Sequence, residues 1–250
     1  MSQKDTLFEE LITAAGDFVF DERVVRVFPD MINRSVPGYG LVVPMIGLLA
    51  RRFAQDGSTL YDLGCSLGAV SLAMGRAVRA QNVNIIAVDN SPDMISRLQV
   101  LVSEDPPELP VQLRQQDIRE TDIIDASVVV LNFTLQFVDL EDRPVLLQRI
   151  AQGLRPGGIL VLSEKLRFEN PREQQHLTDW YHDFKRTQGY SELEIARKRE
   201  ALENVLRPET ETTHRARLLQ AGFDEVYRWY QGFSFASFVA IKQGADDSEP

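Results

Sequence analysis

The sequence predicts an α/β fold: an open, mostly parallel seven-stranded sheet closed by an antiparallel hairpin, with an N-terminal helical arm and an inserted helical lid. Three observations carry that expectation. Five short apolar runs alternate with helical segments, the pattern of a parallel sheet covered by helices on both faces. The first of those runs breaks directly into a glycine turn and a helix. The last two runs, 225–229 and 233–241, lie too close together for a crossover and so pair antiparallel.

The chain is organised around Thr59-Leu60-Tyr61-Asp62-Leu63-Gly64-Cys65-Ser66-Leu67-Gly68, a strand and glycine turn that run into the helix 69–74. That succession puts backbone N–H groups and a helix N-terminus at the carboxyl end of the strand, where an open parallel sheet binds small ligands. Gly64 allows a ligand to approach the backbone, and Gly68 allows the helix to pack on the strand. The second strand, 84–88, ends in Asp89-Asn90-Ser91-Pro92. A carboxylate there, roughly 20 residues past the glycine turn, suits a ribose diol. Ser91 can cap the next helix while Asp89 faces the pocket. The two features together read as an adenosine-type cofactor site.

Composition narrows the function. With 27 Lys and Arg against 37 Asp and Glu among 250 residues, the chain is acidic, which disfavours direct nucleic-acid binding. A local basic patch can still form, around Arg197, Lys198 and Arg199 for example. No apolar run spans a membrane and the N-terminus lacks the shape of a signal peptide, so a cytoplasmic protein is expected. The single cysteine, Cys65, excludes an intramolecular disulfide framework. His176, His182 and His214 are not at ligand spacing, and no metal site is expected.

In chain order, residues 1–38 form the arm. A helix opens at Asp21, a break is expected at Pro29, and a short second helix runs through Met31 and Ile32. Tyr39 sits in the turn before an apolar helix, 41–53, which packs on the sheet edge. After the helix 93–102, a third strand over 111–118 ends in Asp117-Ile118; the acid accepts from an adenine amino group, or it is a turn residue. The strand 126–133 is the sheet centre, with Asn132 at its carboxyl end. A helix over 141–154 stops at Pro156-Gly157-Gly158, and the fifth strand is 159–164. Residues 168–206 leave the alternation and form the lid or dimer element, with a capping box at Ser191 and Glu194. A helix over 210–221 precedes the hairpin, and the tail 243–250 is expected to be disordered.

Taken as a set, Asp62-x-Gly64-x-x-x-Gly68, Asp89, Asp117-Ile118, Asn132, Pro156-Gly157-Gly158 and the closing hairpin resemble the Rossmann-like class I S-adenosylmethionine-dependent methyltransferase fold over residues 40–242. Ser66 stands where many members have another glycine. The resemblance extends further, through Ser35-Val36-Pro37-Gly38-Tyr39, Leu131-Asn132-Phe133-Thr134-Leu135-Gln136-Phe137 and Gly189-Tyr190-Ser191-Glu192-Leu193-Glu194-Ile195, to the carboxy-S-adenosylmethionine synthase family over nearly the whole chain. That resemblance implies conversion of S-adenosylmethionine and prephenate into carboxy-S-adenosylmethionine and phenylpyruvate, the product serving carboxymethylation of tRNA wobble uridine. It implies that Tyr39, Gly64, Cys65, Ser66, Asp89, Asn90, Asp117, Ile118 and Asn132 line the cofactor. It also implies that Arg199 binds a carboxylate, across a homodimer interface.

In the implied reaction prephenate supplies both the base and the CO2 as it aromatises, so the chain needs no nucleophile and no metal. The protein contributes proximity and charge placement. Two other readings share the same pocket: a methyltransferase of a small molecule or tRNA, and a non-catalytic S-adenosylmethionine-binding protein. A dinucleotide-dependent dehydrogenase suits the closing hairpin and Asp117-Ile118 less well.

Overall fold

The computed structural model describes residues 21–203 and 205–244, with the side chains of 198, 199 and 201–203 left aside. One seven-stranded sheet runs in the order β3-β2-β1-β4-β5-β7-β6. Its strands are β1 (Thr59–Leu63), β2 (Asn84–Asp89), β3 (Val111–Gln115), β4 (Ala126–Asn132), β5 (Leu154–Lys165), β6 (Glu225–Gly232) and β7 (Phe235–Ile241). The first five pair in parallel, and β7 runs antiparallel between β5 and β6.

Period-two alternation divides the apolar strand residues between two cores. Leu60, Ile85, Val128, Val130, Ile159 and Val161 face α2 (Tyr39–Phe53) and α3 (Ala69–Ala77). Tyr61, Leu63, Ile86, Val88, Val129, Leu131, Leu160 and Leu162 face the other way, toward α5 (Arg143–Gly153) and α8 (Glu211–Ala221). Because both faces are covered, the strands read as unbroken apolar runs instead of alternating ones. Each fully buried aliphatic side chain in these layers contributes about 1.5–3 kcal/mol.

The strand β4 occupies the middle of the sheet, as its β-branched run predicts. Three local expectations are corrected. The arm does not break at Pro29: α1 runs unbroken from Glu22 to Ser35, capped by Asp21. The cost of proline in a helix is offset because Val24, Val25, Phe28 and Met31 bury one face against Met94 of α4 (Pro92–Glu104). The helix α2 lies over the central strands, not at the sheet edge, since Val42, Val43, Ile46 and Ala50 enter the first of the two cores. The strand β3 stops at Gln115, and Ile118–Glu120 forms a 3-10 turn.

The insertion folds as α6 (Pro171–Thr187) and α7 (Glu192–Glu203). Its capping box is reciprocal: the Ser191 amide donates to Glu194 Oε2 at 2.7 Å, and the Glu194 amide donates to Ser191 Oγ at 3.3 Å. Arm and insertion are joined. The Arg34 guanidinium donates to the Gln188 carbonyl at 2.8 Å and stacks 4.1 Å over the Tyr190 ring. Residues 1–20 of the arm and the tail from residue 245 lie outside the described residues.

Candidate functional site

The carboxyl ends of β1, β2, β4 and β5 open into a cavity of about 920 Å3, roofed by α1 and α6. A cavity at the strand ends is what doubly wound sheets provide for ligands. Its size is at the upper end of the roughly 300–1,000 Å3 common for small-molecule sites.

The glycine turn forms one wall, and its amides are used differently from the expectation. The Gly64 and Cys65 amides both donate to the Val88 carbonyl, at 2.8 and 2.9 Å, and the Ser66 amide donates to Asp89 Oδ2 at 2.8 Å. These three donors therefore lock the turn to β2 and do not face the cavity. Among the described residues, the α3 amides without a protein partner are those of Ala69 and Val70. Gly64 has φ +79°, and a Cβ on it would stand 2.3 Å from Thr134 Cγ2, so what it admits is the loop after β4. Gly68, at φ +73°, makes room for Leu98 of α4, not for the strand. Ser66 adopts φ +47°, the left-handed region in which a glycine would carry no strain.

Asp89 is buried at the tip of β2, and its other oxygen accepts from the Ser91 amide at 2.9 Å. Burial raises its pKa against those bonds. Ser91 Oγ accepts from the Met94 amide, so the cap and the cavity-facing acid coexist. Asn90 lies beside them, exposed on the cavity wall.

Asp117 also lines the cavity, but its carboxylate caps the Arg119 amide at 2.8 Å and pairs with the Arg119 guanidinium at 2.7 Å. That ion pair holds its pKa below the usual range. These bonds suit the turn reading, and the residue also stands on the cavity wall, where the adenine reading puts it. Ile118 is buried next to it and presents an apolar edge.

Asn132 ends β4 between the glycine turn and β5, with its Oδ1 buried and without a hydrogen-bond partner. A buried acceptor left open at a cavity wall is a seat for a ligand donor. Tyr39 opens α2 with its ring 6.5 Å from Phe133. Its hydroxyl has no partner among the described residues, and burial together with the Asp62 charge raises its pKa. The Cys65 thiol, buried beside Asp62 and Asp89, is likewise pushed up and stays protonated. Arg199 falls on α7, and its side chain lies outside the described residues. His182 lines the cavity, whereas His214 is wholly buried and held neutral by burial, at about 4.

Sequence reasoning gave no role to Asp62, Gln136, Lys165, Tyr181 or Lys185, all of which line the cavity. Lys165 carried a readable signal, a polar residue at the carboxyl end of an apolar strand, the same signal that singles out Asn132. The aromatic and basic residues of α6 carried none, because only folding brings that helix over the sheet.

An S-adenosylmethionine-type ligand fits this wall. It offers hydroxyl and amino donors for Asp89 and Asn132, and a positive charge for an enclosure that contains Asp62 and Asp89. Among the described residues no group of His, Cys, Asp and Glu is arranged to hold a metal, and no helix is long and apolar enough to cross a membrane.

Comparison with known proteins agrees with this architecture. Residues 60–158 match the methyltransferase domain family. Among solved structures, an O-methyltransferase family protein from Burkholderia thailandensis superposes with a TM-score of 0.67 at 14% identity, covering 98% of this chain and 64% of that one. A putative O-methyltransferase from Nostoc punctiforme gives 0.60 at 15% identity, covering 88% and 60%. Identities this low establish the fold alone. Whole-chain relatives are much nearer. A carboxy-S-adenosyl-L-methionine synthase from Citrifermentans bemidjiense is 55% identical over 95% of this chain and 98% of its own. The protein of that name from Photobacterium profundum is 52% identical over 97% and 99%. Identity of that extent, spanning arm, sheet and insertion, means that the chain belongs to the carboxy-S-adenosyl-L-methionine synthase family.

Proposed function

We propose that this enzyme converts S-adenosylmethionine and prephenate into carboxy-S-adenosylmethionine and phenylpyruvate, and that the product serves carboxymethylation of tRNA wobble uridine in the cytoplasm. The observation that carries the reading is the 52–55% identity, over nearly the whole chain, to proteins bearing the synthase name. The cavity supports it with a volume of about 920 Å3, room for two reactants side by side. In the balanced reaction, prephenate loses its ring carboxyl as CO2 and its hydroxyl as hydroxide. The hydroxide leaves as water with a proton from the sulfonium methyl, and the CO2 takes that proton's place.

The chain's own part is positional. Asp89 and Asn132 hold the adenosylmethionine at the carboxyl ends of β2 and β4, and the acidic enclosure favours its positive charge. Tyr39, Phe133 and Phe235 supply apolar walls that exclude water. No side chain has to act as nucleophile. Arg199 binds a carboxylate by a bidentate contact, supplied by a second copy of the chain. A homodimer is further supported by the exposed stripe Leu41, Met45 and Leu48 along α2.

Mass spectrometry of the reaction mixture tests the reading. A species heavier than S-adenosylmethionine by one CO2, formed only with prephenate, is the expected result. Its absence from active preparations would return the site to a methyltransferase of another acceptor.

A further inference from the structure

The cavity wall two strands away from the glycine turn carries a cation that no carboxylate among the described residues answers. Lys165 closes β5, and its amide donates to Gln136 Oε1 at 3.1 Å, which fixes where the side chain leaves the sheet. The ammonium stands 5.2 Å from the centroid of the Tyr181 ring and 6.0 Å from that of Phe235. Among the described residues these ring faces are its only partners, and burial presses its pKa below the ordinary lysine value. Lys185 of α6 is buried and approaches the same Tyr181 ring at 4.7 Å.

The carboxylates lining the cavity are, in contrast, answered by protein donors. Asp62 is held by Ser71, Asp89 by Ser66 and Ser91, Asp117 by Arg119 and Asp139 by Arg207. The cavity therefore has one end whose acids are neutralised or capped and another whose cation is left open. Two strand spacings, about 10 Å, separate β1 from β5. That is room for a second molecule beside one bound at the glycine turn. A half-buried ammonium with no counter-ion among the described residues is unfavourable, and its retention at a cavity wall marks the place of a ligand anion.

We propose that Lys165 seats a carboxylate of the second reactant, a small cyclic carboxylic acid whose ring lies against Tyr181 and Phe235. The inference rests on the function proposed above for the reactant's identity, but not for its charge. A lysine suits this position, since a compact point charge accepts a carboxylate from several directions while the aromatic faces set the plane of the ring.

The test uses full-length protein and two readouts: calorimetric binding of phenylpyruvate to the S-adenosylmethionine-loaded enzyme, and steady-state turnover with prephenate. Lys165→Met is expected to weaken phenylpyruvate binding at least tenfold and to raise the KM for prephenate comparably. The Kd for S-adenosylmethionine should stay within twofold, and Lys165→Arg should recover most of the loss. Unchanged phenylpyruvate affinity in folded Lys165→Met, or in Lys165→Gln if the first variant does not fold, overturns the proposal. So does an equal loss of S-adenosylmethionine affinity, or wild-type protein that binds no phenylpyruvate. If the anion binds through Lys165 but no prephenate-dependent product forms, the reaction proposed above fails and the carboxylate site stands.

Discussion

The carboxylate of Asp62, in the strand that leads to the glycine turn, accepts two hydrogen bonds from Ser71 at the start of α3. The amide donates at 2.9 Å and the hydroxyl at 2.6 Å. The pair ties β1 to α3 across the turn and fixes the angle at which the helix meets the cavity. Burial nonetheless lifts the Asp62 pKa to about 6, Ser71 opposing the shift and the Asp89 charge adding to it.

A pH dependence of stability follows. A folded-state pKa above the unfolded value of 3.8 means the native protein binds this proton more tightly. The contribution is fully present below about pH 4 and is lost as pH rises through 6, a change of about 3 kcal/mol to order of magnitude. Asp62→Asn keeps an acceptor for Ser71 without the buried charge. Its melting temperature at pH 7.5 is expected to exceed the wild-type value, and the wild-type slope between pH 4 and 6 should flatten. An unaltered slope would show that another group titrates there.

Asn132→Leu separates stability from binding. The open Oδ1 costs stability in the free protein, so an apolar side chain of similar volume should raise unfolding free energy by about 1 kcal/mol. S-adenosylmethionine affinity should fall at least tenfold. Thermal melts with and without ligand read both effects, and a variant that melts lower yet binds normally would contradict the assignment.

Arg143 is a wholly buried cation of a structural kind. It donates to the carbonyls of Val138, Gln136 and Arg207 at 2.9, 3.1 and 3.0 Å and pairs with Glu209. These contacts tie α5 to the loop after β4 and to the chain leaving the insertion. Arg143→Ala removes every guanidinium donor and opens the Val138 and Arg207 carbonyls, while the Gln136 carbonyl keeps the Arg207 amide, so urea unfolding should show a loss of about 3–5 kcal/mol. A loss below 1 kcal/mol would mean that water replaces the guanidinium.

For Arg199, the expected outcome of Arg199→Ala is loss of carboxylated product with S-adenosylmethionine binding within a fewfold of wild type. Product mass spectrometry beside calorimetry distinguishes this from a folding defect. Surviving turnover would remove the residue from the reaction.

Much of this protein was legible because the signals were local. The apolar runs with their polar ends placed β1, β2, β4 and the hairpin, and the Ser191–Glu194 spacing announced a capping box that the side chains complete. Asp89 and Asn132 stood out for the same reason: a polar residue ending a buried strand has few structural uses. Pro29 misled because an intrinsic helix cost was outweighed by burial against Met94, a partner more than sixty residues away in the chain. Asp117 stayed ambiguous because Arg119 lies close enough to claim its carboxylate before any ligand does.

The sequence by itself determined the order of elements, the two-faced sheet and the carboxyl ends at which a ligand collects. These follow from periodicity, turn chemistry and the handedness of crossovers, which act over a few residues at a time. Tertiary structure alone decided where the turn's amides go, what Gly64 makes room for, and that Lys165 comes to lie beside Tyr181. Those relationships join residues on different elements, and their energies depend on burial and distance, which no local pattern encodes.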